Sequence, residues 1–331
     1  MSYIIPVFIS YAGCPHICAF CNQHKINRQT EFSLIEVHKQ IDKYLAFLPN
    51  NKEKELAFYG GSFTGLPVVW QEELLALAQD LRQKNVIQRV RLSTRPDYID
   101  IAVIARLLKY GVDTVELGVQ SLDDEVLRLA KRGHNAQAVE NASFLLKDAG
   151  IELGLQFMLG LPKQDWSSVK ATTQQALAIK PSIVRIYPLL IFADTDFGVD
   201  YLDNKFEPIS LDTAVQQAAY MTEQFEAAGI NVIRLGLQDD DGLREQGAIL
   251  AGPYHSAFGE LVASYRCLQF IKEKLDSLSN IKNVIIKVPR RDLSKYLGHK
   301  KMNVAYLNKH YPDFKLTFVA TEDVAVSFTI D

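Results

Sequence analysis

Residues 114–131 read TVELGVQSLDDEVLRLAK and contain the repeating unit that decides the fold. The β-branched and apolar run from Thr114 to Gly118 predicts a buried strand, and the apolar spacing from Asp124 to Lys131 predicts a helix after it. The same order of strand and helix recurs along the chain from Ile4 to Tyr187. Such repetition is typical of a parallel sheet with right-handed crossovers.

Strands and helices of the same kind precede and follow this unit. The other predicted strands are Ile4 to Ile9, Leu56 to Tyr59, Gln88 to Ser93, Glu152 to Met158 and Ile183 to Tyr187. The other predicted helices are Leu34 to Leu48, with a capping box from Ser33 to Glu36, then Trp70 to Lys84, Ile99 to Leu108, Ala136 to Asp148 and Trp166 to Ile179. Six strands fit a doubly wound sheet or an incomplete barrel, because a full barrel needs eight. We predict an α/β fold built on a partial (β/α)6 TIM-type barrel.

Glycines and polar residues cluster where the predicted strands end. The C-terminal ends of parallel strands lie at one edge of a sheet or barrel, and ligands bind there in both architectures. We therefore expect a cofactor site at this edge. The strand ends concerned are Tyr59-Gly60-Gly61-Ser62-Phe63, Ser93-Thr94-Arg95-Pro96-Asp97, Glu116 to Ser121, Gln156 to Pro162 and Tyr187-Pro188.

Three cysteines follow the first predicted strand in the segment GCPHICAFC, residues 13–21. Cys14, Cys18 and Cys21 can hold three corners of a cubane iron–sulfur cluster, which leaves one iron open to a substrate or cofactor. A zinc site with His16 or His24 as fourth ligand is the alternative, although structural zinc sites commonly combine two separated ligand pairs. Buried apolar thiols are a further alternative.

Composition and charge are those of an ordinary globular protein. The 331 residues are 48% hydrophobic and 23% charged, with a net charge of −3. No apolar run reaches membrane-spanning length, and the N-terminus lacks the basic start of a secretory signal. Cys267 is the one cysteine outside the cluster, which argues against a disulfide framework and favours a buried apolar thiol. We predict a cytoplasmic protein without membrane contact.

Basic residues concentrate near the C-terminus. Residues 281–315 contain nine Lys or Arg and two Asp, a net +7, so the rest of the chain carries −10. A basic segment on an acidic body suggests a polyanionic partner, whereas the alternative is a solvated lysine-rich surface. The predicted elements here are strand Asn283 to Val288, helix Arg290 to Leu297, helix Asn303 to Lys309 and strands Lys315 to Val319 and Val324 to Ile330.

This order of elements resembles the K homology (KH) RNA-binding module. In that module a Gly-x-x-Gly loop joins the helices and contacts a nucleic-acid backbone. Here the loop reads Gly298-His299-Lys300-Lys301, with Lys301 in place of the second glycine. The alternative is a small α/β cap that packs on the barrel and shields the site at its edge. We predict a barrel domain over residues 1–275 and a basic, KH-like α/β module over residues 281–331.

The cysteine spacing, with Phe20 before the third cysteine, resembles the signature of the radical S-adenosylmethionine (SAM) enzymes. Within that superfamily, residues 1–275 are similar to the radical domain of the Elongator catalytic subunit. The motifs that carry this likeness are FYGGSFTG (58–65), STRPDYI (93–99), VELGVQSLDDEVL (115–127), RGH (132–134), MLGLP (158–162), RIYPLL (185–190) and VIRLGLQ (232–238).

The resemblance implies a [4Fe-4S] cluster on Cys14, Cys18 and Cys21, with SAM bound to the open iron. One-electron reduction in that family releases a 5′-deoxyadenosyl radical, which abstracts a hydrogen atom. The implied SAM contacts are the Gly60-Gly61 pair, Ser62 where the family often has glutamate, Gln120 at the ribose, Arg132 at the carboxylate, and Phe20, Thr94, Gln156 and Met158 along the walls. The implied substrate-side residues are Tyr187, His255 and Glu260.

Several of these residues also have purely structural interpretations. The glycine pair can form a tight turn, Arg132 can pair at a helix end, and Arg95 can serve the turn at Pro96. Met158 can pack in the core and Gln156 can satisfy hydrogen bonds inside the barrel. The order of the residues along successive strand ends favours the functional interpretation.

The Elongator-type likeness implies modification of the tRNA wobble uridine, with a reductant such as ferredoxin or flavodoxin. The chain ends at Asp331, so we expect a short form without the acetyltransferase domain, with the 281–315 segment as the tRNA contact. The alternatives are a radical SAM enzyme that acts on a small molecule such as a porphyrinogen, and a non-catalytic iron–sulfur protein for RNA binding or electron transfer.

Overall fold

The computed structural model describes residues 3–9, 14, 17–21, 33–49, 51–237, 249–278 and 283–330. His16 and His24, considered above as zinc ligands, lie outside the described residues, as does Gln238 at the end of the VIRLGLQ motif.

The main sheet has seven parallel strands in the order β1-β2-β3-β4-β5-β6-β8. It curls into a half barrel with β1 and β8 at its two edges. The partial TIM-type barrel predicted from the sequence is therefore confirmed. The strands are β1 Tyr3–Ile9, β2 Lys54–Gly60, β3 Arg89–Thr94, β4 Thr114–Gln120, β5 Glu152–Leu159, β6 Ile183–Pro188 and β8 Asn231–Leu235.

Helices connect these strands and cover the outer face of the sheet. Buried Leu, Ile, Val and Phe side chains from the strands and helices form one large core between the two layers. The helices of the barrel and its extension are α1 Leu34–Leu45, α2 Val68–Gln83, α3 Ile101–Lys109, α4 Asp124–Leu129, α5 Ala136–Asp148, α6 Trp166–Ile179, α7 Asp196–Leu202, α8 Leu211–Ala227 and α9 Phe258–Asp276.

Two sequence predictions about these elements were wrong. The sheet has a seventh strand, because α8 and β8 add one more unit beyond the six predicted. The five residues of β8 are exposed or half-buried at the sheet edge, so they lack the buried apolar run that marks the other strands. The capping box at Ser33 also does not form: the Ser33 side chain makes no cap hydrogen bond, and Glu36 pairs with Lys39 at 2.5 Å.

Alternate residues of the central strands face opposite sides of the sheet. In β2, Leu56 and Phe58 pack in the outer core, whereas Glu55 and Tyr59 contact polar side chains of other strands. The same alternation continues in the neighbouring strands, as expected from the two-residue period of a strand. The inner face of the half barrel is therefore polar while its outer face is apolar.

A short antiparallel ribbon leads from the barrel to the C-terminal part. It pairs β7 (Ile191–Phe192), directly after β6, with β9 (Ile249–Ala251). Gly252 has a φ of +111°, and a Cβ atom there would lie 2.6 Å from the Leu189 carbonyl oxygen. The segment after β9 is thereby held against the C-terminal end of β6.

The C-terminal module has the predicted order of strand, helix, turn, helix, strand and strand. Its elements are β10 Asn283–Pro289, α10 Leu293–Leu297, α11 Met302–His310, β11 Lys315–Thr321 and β12 Ser327–Ile330. In the sheet order β11-β10-β12, β10 pairs parallel with β11 and antiparallel with β12. Val262 of α9 belongs to the barrel core, whereas Leu268, Ile271 and Leu275 of α9 belong to the core of the module. The predicted domain boundary near residue 275 and the KH likeness stay predictions.

Within the described ranges, no helix is both long enough and apolar enough to cross a membrane.

Candidate active site

The cysteine segment is tied to the barrel at Ala19, which is 1% exposed. The Ala19 backbone N–H donates to the Ala130 carbonyl at 3.1 Å, and the Ala19 carbonyl accepts from the Phe197 N–H at 3.0 Å. These contacts join the segment to the end of α4 and to the first turn of α7. The middle of the cysteine loop is therefore fixed at the C-terminal edge of the strands, as the sequence predicts.

Two of the three cysteines share one set of neighbours. Cys18 is buried, Cys14 is exposed as a whole residue, and Cys21 lies between these extremes. Desolvation of its sulfur and the neighbouring Cys18 raise the pKa of Cys14, while the guanidinium groups of Arg95 and Arg132 lower it. The described residues do not bring three His, Cys, Asp or Glu side chains into one preformed metal site.

Arg132 lies directly beside Cys18. Its Nη1 donates to Cys18 Sγ at 3.1 Å, and its Nη2 donates to the Gly118 carbonyl. Its Nε is buried and has no hydrogen-bond partner within the described ranges. The guanidinium therefore keeps one donor unused next to the cysteine that it contacts.

Gln120 and Phe20 converge on the same place. Gln120 has a left-handed φ of +67° at a register shift in β4, which turns its side chain toward Gly118. A Cβ atom on Gly118 would lie 3.2 Å from Gln120 Nε2 and 3.4 Å from Arg132 Nη2. The Arg132 guanidinium carbon lies 6.0 Å from the centre of the Phe20 ring. Cys18, Phe20, Gln120 and Arg132 are thus brought together.

A turn at Pro96 was the structural interpretation of Arg95 in the sequence, and the structure places its side chain against Cys18. Its Nη1 lies 4.0 Å from Cys18 Sγ, and its Nη2 donates to the Arg132 carbonyl. The signal that could have identified Arg95 is its place in the STRPDYI motif, at the same strand edge as the cysteines.

The chemistry of this donor set fits an iron–sulfur cluster. Arg95 and Arg132 bring two guanidinium groups to Cys18, and among the described residues Asp97 pairs with Arg95 while Arg132 forms no ion pair. Buried positive charge without an anionic partner is costly. Thiolates bound to iron supply such an anion, so the residues present fit the group.

The glycine pair after β2 approaches the end of β1. Gly60 has a φ of +112°, and a Cβ atom there would lie 2.7 Å from the Ile9 carbonyl oxygen. The Gly61 N–H donates to the same oxygen at 3.0 Å. Only glycine tolerates both this φ and this close backbone approach. The pair therefore lies where the chain leaves β1 for the cysteine segment.

The hydroxyl groups of Ser62 and Thr94 bind one another at 2.9 Å. Thr94 Oγ1 also lies 2.5 Å from Thr64 Oγ1 and accepts from the Thr64 N–H at 3.3 Å. Both residues are buried. Their hydroxyl groups thus connect the ends of β2 and β3, and their predicted contact with SAM stays a prediction.

Gln156 belongs to a buried network on the inner face of the barrel. Its Nε2 donates to Glu116 Oε2 at 2.8 Å and to Ser93 Oγ at 3.2 Å. Glu116 also accepts from Arg91 Nη1 at 2.8 Å and from Arg185 Nε at 2.6 Å. Burial tends to raise the pKa of Glu116, but the two arginines outweigh it and the pKa is lowered. Glu116 is therefore ionised and links four strands.

Met158 packs beside the cysteine segment. Met158 packs against an apolar cluster that contains Ala19, and Phe20 packs against the same cluster. The other members of this cluster are Val126, Ala130, Leu161, Leu189, Ile191 and Phe197, with Leu250 and Ala251 from β9. The cluster therefore connects the cysteine segment with the β7–β9 ribbon.

The three substrate-side residues lie in two different places. Tyr187 is on the inner face beside Arg185, and burial raises the pKa of its phenol, so that it stays protonated. His255 faces the C-terminal module, where its ring lies edge-on to the His299 ring with 5.4 Å between centroids. Glu260 is exposed in the first turn of α9, near Lys295. The structure does not bring Tyr187 together with the other two.

The structure also shows the surroundings of His134 and Cys267. Burial, followed by the charge of Arg132, lowers the pKa of His134 to about 4, so this imidazole is neutral at pH 7. Cys267 is half-buried rather than fully buried as predicted. Its thiol hydrogen-bonds Tyr296 of the module, and burial raises its pKa.

Comparison with known proteins identifies the superfamily of this chain. The sequence profile of the Radical SAM superfamily matches residues 8–176, and that of the Radical_SAM C-terminal domain matches residues 181–266. The chain belongs to the radical SAM superfamily. This radical SAM protein is accordingly an enzyme, as the sequence predicts.

Several of its relatives are Elongator-type proteins. The chain is 28% identical over 186 residues to the tRNA uridine(34) acetyltransferase of Methanocaldococcus infernus, a match that covers 50% of this chain and 35% of the relative. It is 29% identical over 241 residues to Elongator complex protein 3 of Danio rerio, covering 58% of this chain and 43% of that protein. The predicted Elongator-type likeness is confirmed, and the chain spans between about a third and a half of these relatives.

A solved structure shows the same fold. The archaeal Elp3 of Methanocaldococcus infernus with an N-terminal deletion superposes with a TM-score of 0.62 at 22% identity. The match covers 82% of this chain and 63% of that one. At this identity the comparison shows the shared fold.

Proposed function

We propose that Cys14, Cys18 and Cys21 hold a [4Fe-4S] cluster and that SAM binds beside it at the C-terminal edge of the half barrel. The superfamily membership supports this assignment. The observation that carries it is the Arg132 guanidinium, which contacts Cys18 Sγ at 3.1 Å and keeps a buried Nε without a partner among the described residues. A cluster bound there supplies one-electron reductive cleavage of SAM.

The residues around Cys18 have separate tasks in this proposal. Arg132 binds the SAM carboxylate, because its planar guanidinium can form paired hydrogen bonds. Gln120 hydrogen-bonds the ribose, and the backbone of Gly60 and Gly61 faces the amino group. Phe20 and Met158 exclude water from the adenine side. Ser62 accepts a hydrogen bond from SAM, and Thr94 and Gln156 line the ribose and adenine walls.

Two substitutions test this assignment. Cys18→Ala should lose the visible absorbance of the reconstituted cluster. Arg132→Ala should keep the cluster but bind SAM at least about tenfold more weakly by calorimetry, since a charge-assisted pair contributes roughly 1.5–3 kcal/mol. Arg82→Ala is the matched control, because Arg82 binds the Gly111 carbonyl and Asp113 away from the cysteines. Full cluster absorbance in Cys18→Ala, or unchanged SAM affinity in Arg132→Ala, would contradict the assignment.

We propose tRNA as the substrate class, in a cytoplasmic enzyme that receives electrons from a protein such as ferredoxin or flavodoxin. The names of the relatives support tRNA. The basic turn between α10 and α11 supports it as well. Lys300 and Lys301 are exposed there, have left-handed φ values of 49° and 62°, and form no ion pair with a described carboxylate.

The position of this turn relative to the cysteines also supports tRNA binding. His299 in the turn contacts His255, which lies three residues after Gly252. Gly252 packs on Leu189 at the end of β6, and Leu189 shares an apolar cluster with Ala19 of the cysteine segment. An RNA backbone on the turn would therefore lie at the same edge of the barrel as the cysteines.

Salt-dependent binding tests the tRNA proposal. Filter binding of bulk tRNA at several salt concentrations should give a linear loss of log affinity with log salt. The Lys300→Ala/Lys301→Ala variant should reduce that slope by about 1.5, since each phosphate contact contributes roughly 0.7–0.9. The control is Arg290→Ala/Arg291→Ala, whose guanidinium groups already pair with Glu322 and Asp292. Absence of salt-sensitive binding would remove tRNA and favour a small-molecule substrate.

A further inference from the structure

Arg95 uses its guanidinium to join three separate parts of the site. Its Nε and Nη2 donate to the two carboxylate oxygens of Asp97 at 2.9 and 2.8 Å. Nη2 also donates to the Arg132 carbonyl, and Nη1 points to Cys18 Sγ at 4.0 Å. Arg95 is 3% exposed, so its guanidinium makes these contacts inside the protein.

A turn before Pro96 does not account for this arrangement. The turn requires only an extended backbone at residue 95, with φ −90° and ψ 148°, which other residues also adopt. The side chain instead crosses from the end of β3 to the segment after α4, 37 residues along the chain. Its donors reach Asp97 in the turn, and they also reach the backbone of Arg132 and the sulfur of Cys18, which lie outside the turn.

The charges around Cys18 indicate a second, electrostatic role for Arg95. Arg95 and Arg132 both approach this sulfur, and Asp97 neutralises Arg95, the guanidinium with which it pairs. His134 is neutral and adds no charge. The positive charge of Arg132 therefore remains beside Cys18, where it would stabilise the negative charge of a reduced cluster.

We propose that Arg95 is a positioning residue for the cofactors, with Asp97 holding its guanidinium in place. It fixes the backbone of Arg132, and its charge balances the Asp97 carboxylate, so that the net positive charge that favours the reduced state of a cluster on Cys18 is kept. This inference rests on the proposed cluster and SAM site. Its two parts depend on different properties of the side chain: the backbone contact needs the planar fork, and the electrostatic effect needs only the charge.

Two substitutions of Arg95 separate these parts. Arg95→Met removes both the charge and the fork. The midpoint potential of the cluster should therefore become more negative. SAM should bind at least about tenfold more weakly, which is the lower end of the effect of replacing a residue that orients a ligand-binding side chain. Arg95→Lys keeps the charge and loses the fork. We expect it to keep a potential close to that of the wild type while SAM binding weakens as in Arg95→Met.

The control variant is Arg82→Met. Arg82 also donates to one carboxylate and one backbone carbonyl, those of Asp113 and Gly111, but at the opposite end of the strands. Redox titration monitored by electron paramagnetic resonance gives the midpoint potential of the cluster, and equilibrium dialysis gives the SAM affinity. Iron content and the free energy of unfolding of each apo protein identify a variant that fails to fold. In that event Arg95→Lys decides the question through SAM affinity.

The outcomes distinguish this inference from the function on which it rests. A wild-type protein that assembles no cluster would overturn the proposed function. A wild-type protein with cluster and SAM binding, together with wild-type potential and SAM affinity in Arg95→Met, would overturn the role of Arg95 alone. Equal shifts in Arg95→Met and in Arg82→Met would overturn it as well.

Discussion

Single residues around Cys18 show what a sequence can reveal about a site. Motif matching placed Gln120 and Arg132 among the cofactor contacts, and the structure brings both to Gly118 beside Cys18. A turn at Pro96 was one interpretation of Arg95, because local sequence does not show where its long side chain is directed. The left-handed backbone of Gln120 was also unpredictable, since it follows from a register shift between β4 and β5.

His134 should make stability depend on pH. Its pKa is about 4 in the folded protein and 6.5 in an unfolded chain, so between these values the unfolded chain binds more protons. Stability is unaffected above about pH 6.5 and falls as the pH drops toward 4, by at most about 3 kcal/mol from this residue. Urea unfolding at several pH values should show this loss in the wild type. It should be absent from His134→Asn, and parallel pH profiles for the two proteins would contradict the prediction.

At the scale of elements, the inner face of the barrel depends on contacts that no local pattern contains. Glu116 binds Arg91, Gln156 and Arg185, which lie 25, 40 and 69 residues away in sequence. The strands could be predicted because their apolar residues face the outer core. Their inner partners could not, because the curl of the sheet decides which inward side chains meet.

Replacement of Glu116 by Gln should strongly destabilise the protein. It leaves the buried Arg91 and Arg185 without their shared carboxylate, and loss of one partner from a buried ion pair typically costs about 3–5 kcal/mol. Glu226→Gln, which breaks the surface pair with Arg266, should cost at most about 1 kcal/mol. Denaturant unfolding measures both values. A loss for Glu116→Gln as small as that of the surface control would show that the network contributes little.

The close approach of Gly60, at the end of β2, to β1 leads to a second prediction at this scale. Gly60→Ala should destabilise by clearly more than Gly150→Ala, because both have positive φ but only a Cβ at Gly60 meets backbone, 2.7 Å from the Ile9 oxygen. Gly150→Ala, with open space around it, isolates the backbone strain of about 1 kcal/mol. Gly60→Ala should also lower the iron content after reconstitution. Equal unfolding free energies for the two variants would argue against a tight approach at β1.

At the scale of the whole molecule, the sequence predicted the class of architecture better than its extent. The alternation of strands and helices indicated a partial barrel, and the structure adds a seventh strand whose five edge residues carry little apolar signal. The connection of the C-terminal module to the barrel edge was not predictable either. It depends on α9, which packs into both cores, and on the contact between His255 and His299.

The central claim is that this chain cleaves SAM at a cluster on Cys14, Cys18 and Cys21. Its most direct test measures 5′-deoxyadenosine after anaerobic reconstitution with iron and sulfide, followed by addition of reductant and SAM. We predict release of 5′-deoxyadenosine by the wild type and none by Cys18→Ala. Wild-type protein with an intact cluster, shown by iron, sulfide and visible absorbance, that releases no 5′-deoxyadenosine would contradict the claim.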